Sequence, residues 1–82
     1  MTPEVVKLLA IGIIASLGLM GPALAIGLIG HSALTGIARN PEASGAIMTN
    51  MILVTAFAEA IGIYALIIAI ILAMIVLPTL IG

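Results

Sequence analysis

Apolar residues run almost unbroken through this chain, and all but one of the charged ones gather in two places. Glu4 and Lys7 stand near the start, and Arg39 and Glu42 stand near the middle. Between the first pair and His31 lies an uncharged run, Leu8–Gly30. At ~1.5 Å per residue it spans about 34 Å as a helix, enough to cross a hydrocarbon core of about 30 Å. A second run extends from Ala43 to the C-terminus, and Glu59 is its only ionisable side chain apart from Tyr64. The pattern predicts two membrane-spanning helices.

Local signals set their ends. Thr2 suits an N-cap, Pro3 the first helical position, and Glu4 the positive end of the helix dipole. Asn40–Pro41–Glu42 repeats that logic. The expected elements are helix one over 3–38, a polar loop over 39–41 and helix two over 42–77, with Pro78 marking its end. So short a link permits only a tight antiparallel hairpin. The chain therefore reads as one all-α transmembrane hairpin over 1–82. Pro22 removes one backbone hydrogen bond and is expected to bend helix one. Folding the chain about Asn40 and Pro41 sets Glu59 opposite Gly21–Pro22, near the bilayer midplane.

The helices differ in side-chain size. Gly12, Ala15, Gly18 and Gly21 recur every third position on helix one, as do Gly27, Gly30, Ala33 and Gly36. Gly21 with Ala25, and Ala23 with Gly27, are small-xxx-small pairs. Membrane helices associate through close backbone approach, so these positions predict packing against like helices. Helix two turns Ile/Leu-rich from Ile61 to Leu77, which suits an outer, lipid-facing position.

Composition agrees. The 82 residues are 65% hydrophobic and 6% charged, with net charge −1. A soluble domain carries about a quarter charged residues, so this chain lacks a water-facing surface. With no basic patch it has no nucleic-acid partner. With no cysteine it has neither disulfide nor thiolate metal site. Trp is absent, so the usual aromatic belt is missing and neighbouring copies are expected to hold the tilt. Lys7, Leu8–Met20 and Ala23–Leu24–Ala25 imitate a signal peptide and its cleavage site, but the small-residue pattern continues past that site to Ala38. Arg39 places the loop in the cytoplasm and both termini on the other side, by the positive-inside rule. Starting at Met1, the chain suits a bacterial inner membrane or a plastid-encoded gene.

Glu59 concentrates the candidate chemistry. A charged acid at the centre of a membrane helix costs roughly 2.5–3.5 kcal/mol on insertion scales. Protonated, the side chain is neutral and tolerated. Ionised, it needs a cation or water beside it. A group with those two states can pick up and release one cation, here a proton. A polar clip between helices would need only Asn or Gln. Thr55, one turn back, is placed to donate to the carboxyl or to bond its own helix backbone. Tyr64 lies roughly 140° around the helix at 100° per residue, so it can reach the Glu59 of an adjacent copy rather than its own. One carboxylate is too few ligands for a divalent ion, so no metal site and no cofactor are expected. Sodium is disfavoured because Ala60, Ile61 and Ile26 offer no side-chain oxygen, although backbone carbonyls leave it as the alternative ion. His31, with Ser32 and Thr35 nearby, reads as an interfacial histidine. Asn50 is expected across the hairpin from it.

Two stretches together carry a family resemblance. Gly36–Ile37–Ala38–Arg39–Asn40–Pro41–Glu42–Ala43–Ser44–Gly45 resembles the polar loop, and Phe57–Ala58–Glu59–Ala60 with Ile63–Tyr64 resembles the ion-carrier stretch, of the c subunits of rotary F-type ATP synthases. The resemblance covers nearly the whole chain. It implies a homo-oligomeric ring of identical hairpins in an energy-coupling bilayer. Glu59 would carry one proton per copy and discharge it beside an arginine of the synthase's a subunit. Arg39, Asn40 and Pro41 would meet the central stalk, and Gly21, Ala23, Ala25 and Gly27 would pack the ring. The Phe57 carbonyl would be an acceptor for protonated Glu59. The chain itself would be non-catalytic, with ATP chemistry on its partners.

Departures from the family pattern are visible. Ala23 and Ala25 stand in a row the family often fills with glycine, Ile26 stands where many members carry Gln, and Asn40 replaces the commoner Gln of the loop. Ala60 stands where sodium-type members have Ser or Thr. Two rivals remain: a structural hairpin that transports nothing, for which Glu59→Gln would be silent, and a small multidrug-type exporter. The exporter would want more spans and an aromatic pocket than one Phe and one Tyr provide.

Overall fold

The computed structural model describes residues 2–81. Helix α1 covers Pro3–Arg39 and helix α2 covers Ser44–Ile81, separated by Asn40 and a short 3-10 turn, Pro41–Ala43. The two helices pack antiparallel in a hairpin of 61 × 19 × 12 Å. Both are long and apolar enough to span a membrane. The rod is about twice as long as the hydrocarbon core of a bilayer.

Thr2 caps α1 as expected: its Oγ1 accepts from the Val5 N–H at 3.3 Å. The start of the second helix works differently. The Asn40 side chain makes no capping bond. Its backbone bonds instead, with the Asn40 N–H donating to the Gly36 carbonyl at 2.9 Å and its carbonyl accepting from Ala43 N–H at 3.0 Å. Pro41 has no N–H and the Ala43 N–H is taken by the Asn40 carbonyl, so the turn closes through backbone bonds without the side chain.

Pro78 does not end α2. The helix passes through it to Ile81, four residues beyond the expected boundary at 77, while its α-helical start falls at Ser44 rather than 42. Proline inside a helix costs about 3 kcal/mol. Ending the helix among apolar side chains would instead leave several backbone groups without partners. The Thr79 hydroxyl also donates to the Val76 carbonyl at 2.6 Å. Pro22 likewise lies within an unbroken α1.

A narrow seam of small residues joins the helices. The most buried positions are Ala33 on α1 and Ala58, Gly62, Ala69 and Val76 on α2. They recur at helical spacing, so each helix gives the other a single stripe. Large side chains point outward, among them Leu17, Leu24, Ile52, Ile61, Met74 and Ile75, each more than half exposed. In lipid that is the favourable side for them.

Candidate functional site

Contacts across the seam fix its register. Gly62 faces Pro22, with Leu19 beside it, and Gly18 faces Ala65. Nearer the loop, Gly36 faces Ile47. A fold about Asn40 and Pro41 alone would set Glu59 opposite Gly21–Pro22. The observed reversal takes in Pro41–Ala43, so Gly62 takes that place and Glu59 lies nearly one turn closer to the loop. The uncharged run Leu8–Gly30 is centred on Leu19, level with Ala65. Glu59 therefore lies about 9 Å from the centre of the apolar band, on the loop side, at ~1.5 Å per residue.

The carboxylate sits on the flank of the seam, next to buried Ala58, and is exposed in the single hairpin. It borders a half-open cleft of about 220 Å³ lined by Leu19, Pro22, Ala23, Ile26, Gly62, Ile63 and Leu66. Every one of those side chains is apolar. Among the described residues no side chain donates a hydrogen bond to Glu59, and no group of acidic, His or Cys residues could hold a metal ion.

The supporting residues divide. Thr55 is half-buried on the seam side, one turn from Glu59, and its hydroxyl forms no bond to the backbone like those of Thr49 and Thr79. Phe57 and Tyr64 are 67% and 65% exposed. They are seven residues apart, so they share a face, and that face lies on the flank away from Glu59. The same flank holds an open apolar groove of about 540 Å³, bordered by Leu28, Ser32, Ile47, Asn50 and Val54 among others. Each hairpin thus has two unlike sides. One carries the carboxylate and the other carries the phenol.

Of the small residues, Ala25 is half-buried on the side of α1 toward α2, while Gly21, Ala23 and Gly27 are exposed. A β-carbon at Gly21 or Gly27 would meet nothing within 4 Å. The hairpin does not use these positions. Arg39, Asn40 and Pro41 are exposed together at its tip. His31 is exposed too, and Asn50 is not joined to it: the Asn50 amide donates to its own helix, at the Ala46 carbonyl, 2.9 Å away.

The family model for the ATP synthase C subunit matches residues 9–72, which include the tip, Glu59 and all of the seam but Val76. The chain belongs to the family of ATP synthase c subunits. It is 54% identical over 72 residues to an ATP synthase c subunit of Dehalococcoides mccartyi, covering 88% of this chain and 95% of that one. Similarity extends to the ATP synthase c subunits of Petrotoga mobilis, 43% identical with 88% and 74% covered, and of Thermotoga petrophila, 41% identical with 85% and 82% covered. Membership fixes the general role. The chain is a non-catalytic, integral membrane component of ATP synthase and part of its rotor, and ring assembly follows from the family.

Proposed function

We propose that each copy carries one proton on Glu59 and that successive loading and unloading turns a ring of these hairpins. The observation that carries the choice of ion is the lining of the cleft. Glu59 is its one polar side chain. A sodium ion stripped of water needs several oxygen ligands, whereas a proton needs one carboxylate oxygen. Ala60 in the position after the carboxylate fits the same reading.

The two unlike flanks support the assembly. In a ring, the Glu59 flank of one copy meets the Phe57–Tyr64 flank of the next. That brings a phenol donor and the Phe57 backbone carbonyl toward a carboxyl that has no side-chain partner among the described residues of its own chain. Thr55 would support Glu59 from one turn away. Gly21, Ala23 and Gly27 let the α1 helices approach closely on the inside, Ala25 keeps each hairpin narrow, and bulky α2 faces lipid. An arginine of the a subunit would discharge Glu59 as each copy passes. The exposed tip at Arg39, Asn40 and Pro41 would meet the central stalk on the cytoplasmic side, with the termini opposite, in a bacterial inner membrane.

Carbodiimide labelling of the purified oligomer tests this, read by mass spectrometry across pH with and without sodium. Selective modification of Glu59 that rises as pH falls and ignores sodium is the expected result. Protection by sodium would overturn the ion assignment and leave the rotor intact. Absence of selective reaction at Glu59 would remove it as the carrier.

A further inference from the structure

The open groove on the Phe57–Tyr64 flank, at about 540 Å³, is more than twice the size of the cleft at Glu59. On α2 its wall includes Ala46, Asn50 and Val54. Ala46 and Asn50 stand eleven and seven residues before Phe57, so they share its face. They give that face little bulk. One is a methyl group, and the other is an amide folded back onto its own helix at the Ala46 carbonyl, 2.9 Å away.

The opposite flank is built the other way. Met48 and Ile52 stand eleven and seven residues before Glu59, so they share the face of the carboxylate. They are 43% and 62% exposed in the single hairpin. Neither lines the groove or the Glu59 cleft. Over one stretch of α2, a bulky pair thus projects on one side and a recess opens on the other.

A ring whose axis runs along the hairpin keeps every residue at its own level from copy to copy. Met48 lies midway along the helix between Ala46 and Asn50, and Ile52 midway between Asn50 and Val54. The bulky pair of one copy therefore comes level with the two gaps in the recessed row of the next, as knobs meet holes. Left unfilled, a space of that size would deprive the side chains lining it of partner atoms. Of those side chains only Ser32 and Asn50 are polar, so the recess suits an apolar insert. Met48, unbranched and flexible, can follow an irregular wall.

We infer that Met48 and Ile52 of one copy fill the groove of the next, between its Ala46, Asn50 and Val54, and so set how neighbouring hairpins pack on the loop side of Glu59. The occupant is a second copy of this chain, and the groove is complete only with that copy's side chains. This rests on the flank-to-flank ring proposed above, and not on which ion the ring carries.

Paired cysteines test the contact, because the chain has none of its own. Ala46→Cys with Met48→Cys places two thiols on opposite sides of α2, where they cannot join within one chain. Oxidised oligomers of that variant should run as a ladder of covalent multimers. Ala46→Cys with Asn50→Cys, both in the groove, should leave single chains. Single chains alone from the first pair, in oligomers of wild-type mass, would overturn the inference, as would equal ladders from both pairs. A size swap reads the same contact without cysteine. Ala46→Leu should overpack the groove, weaken each contact roughly tenfold and lower the yield of assembled rings. Adding Met48→Ala should restore it. Undiminished assembly of Ala46→Leu would also overturn the inference. Failure of the wild-type chain to form a ring would count against the assembly reading instead, and the outcome of Glu59 labelling alters none of these readouts.

Discussion

Gly18 and Ala65 approach so closely across the seam that a β-carbon on Gly18 would stand 2.6 Å from the β-carbon of Ala65. Both backbones are helical there, and neither atom belongs to a flexible side chain that could swing aside. Gly18→Ala should therefore push the helices apart and destabilise the hairpin by about 1–3 kcal/mol, the usual cost of overpacking. Gly62→Ala is the control. A β-carbon there would meet Pro22 at an ordinary 3.5 Å. Alanine also favours helix over glycine by about 0.8–1 kcal/mol, so that variant should be neutral or slightly stabilising. Thermal melting of the purified oligomer, followed by circular dichroism, separates the two.

Gly21 and Gly27 predict the opposite behaviour. Neither touches α2. Gly21→Leu and Gly27→Leu should leave helix content and the hairpin unchanged yet reduce the yield of assembled rings, seen as monomer on a native gel. Normal assembly in both would mean that ring contacts lie elsewhere.

Glu59→Gln should fold and assemble, because the exposed carboxylate makes no side-chain hydrogen bond among the described residues that the amide would lose. ATP-driven proton pumping in vesicles should fall to background. Full pumping by this variant would leave the cleft without its function.

At the helix starts, Thr2 and Asn40 look alike in sequence and differ in structure. Thr2→Ala removes a real cap and should cost about 0.5–2 kcal/mol. Asn40→Ala removes no side-chain capping bond and should stay within about 0.5 kcal/mol. Hydrogen exchange at the first turn of α1 and across Pro41–Ala43 measures each locally.

That pair shows what residue identity can and cannot convey. Two apolar runs around a Pro-containing break are enough to define a hairpin, because length and hydropathy alone decide whether a helix can span. The lone acid is legible because hydrocarbon makes every charge conspicuous. Asn40 misleads because a 3-10 turn closed through backbone atoms leaves no trace in residue type. Pro78 misleads because the usual helix-ending rule assumes that water waits for the freed carbonyls. The register slips by nearly a turn for a related reason: how many residues a reversal consumes depends on its dihedral angles, and no residue type encodes that count. The two flanks of the hairpin follow from the helical wheel only once the seam is known.

The displacement of Glu59 toward the loop has an electrical meaning. A hydrocarbon core of about 30 Å centred on Leu19 would leave roughly 24 Å on the side of the termini and 6 Å on the side of the loop. Moving one charge through the full potential is worth about 2.3 kcal/mol per 100 mV. On the proposed reading, a proton reaching Glu59 from the side of the termini through hydrocarbon-like surroundings would cross about four-fifths of that field, and its exit on the loop side would cross the remaining fifth. Membrane voltage would then act mainly on the loading step of that proposed cycle, so an energised membrane would favour an occupied carrier more than it hastened an emptied one.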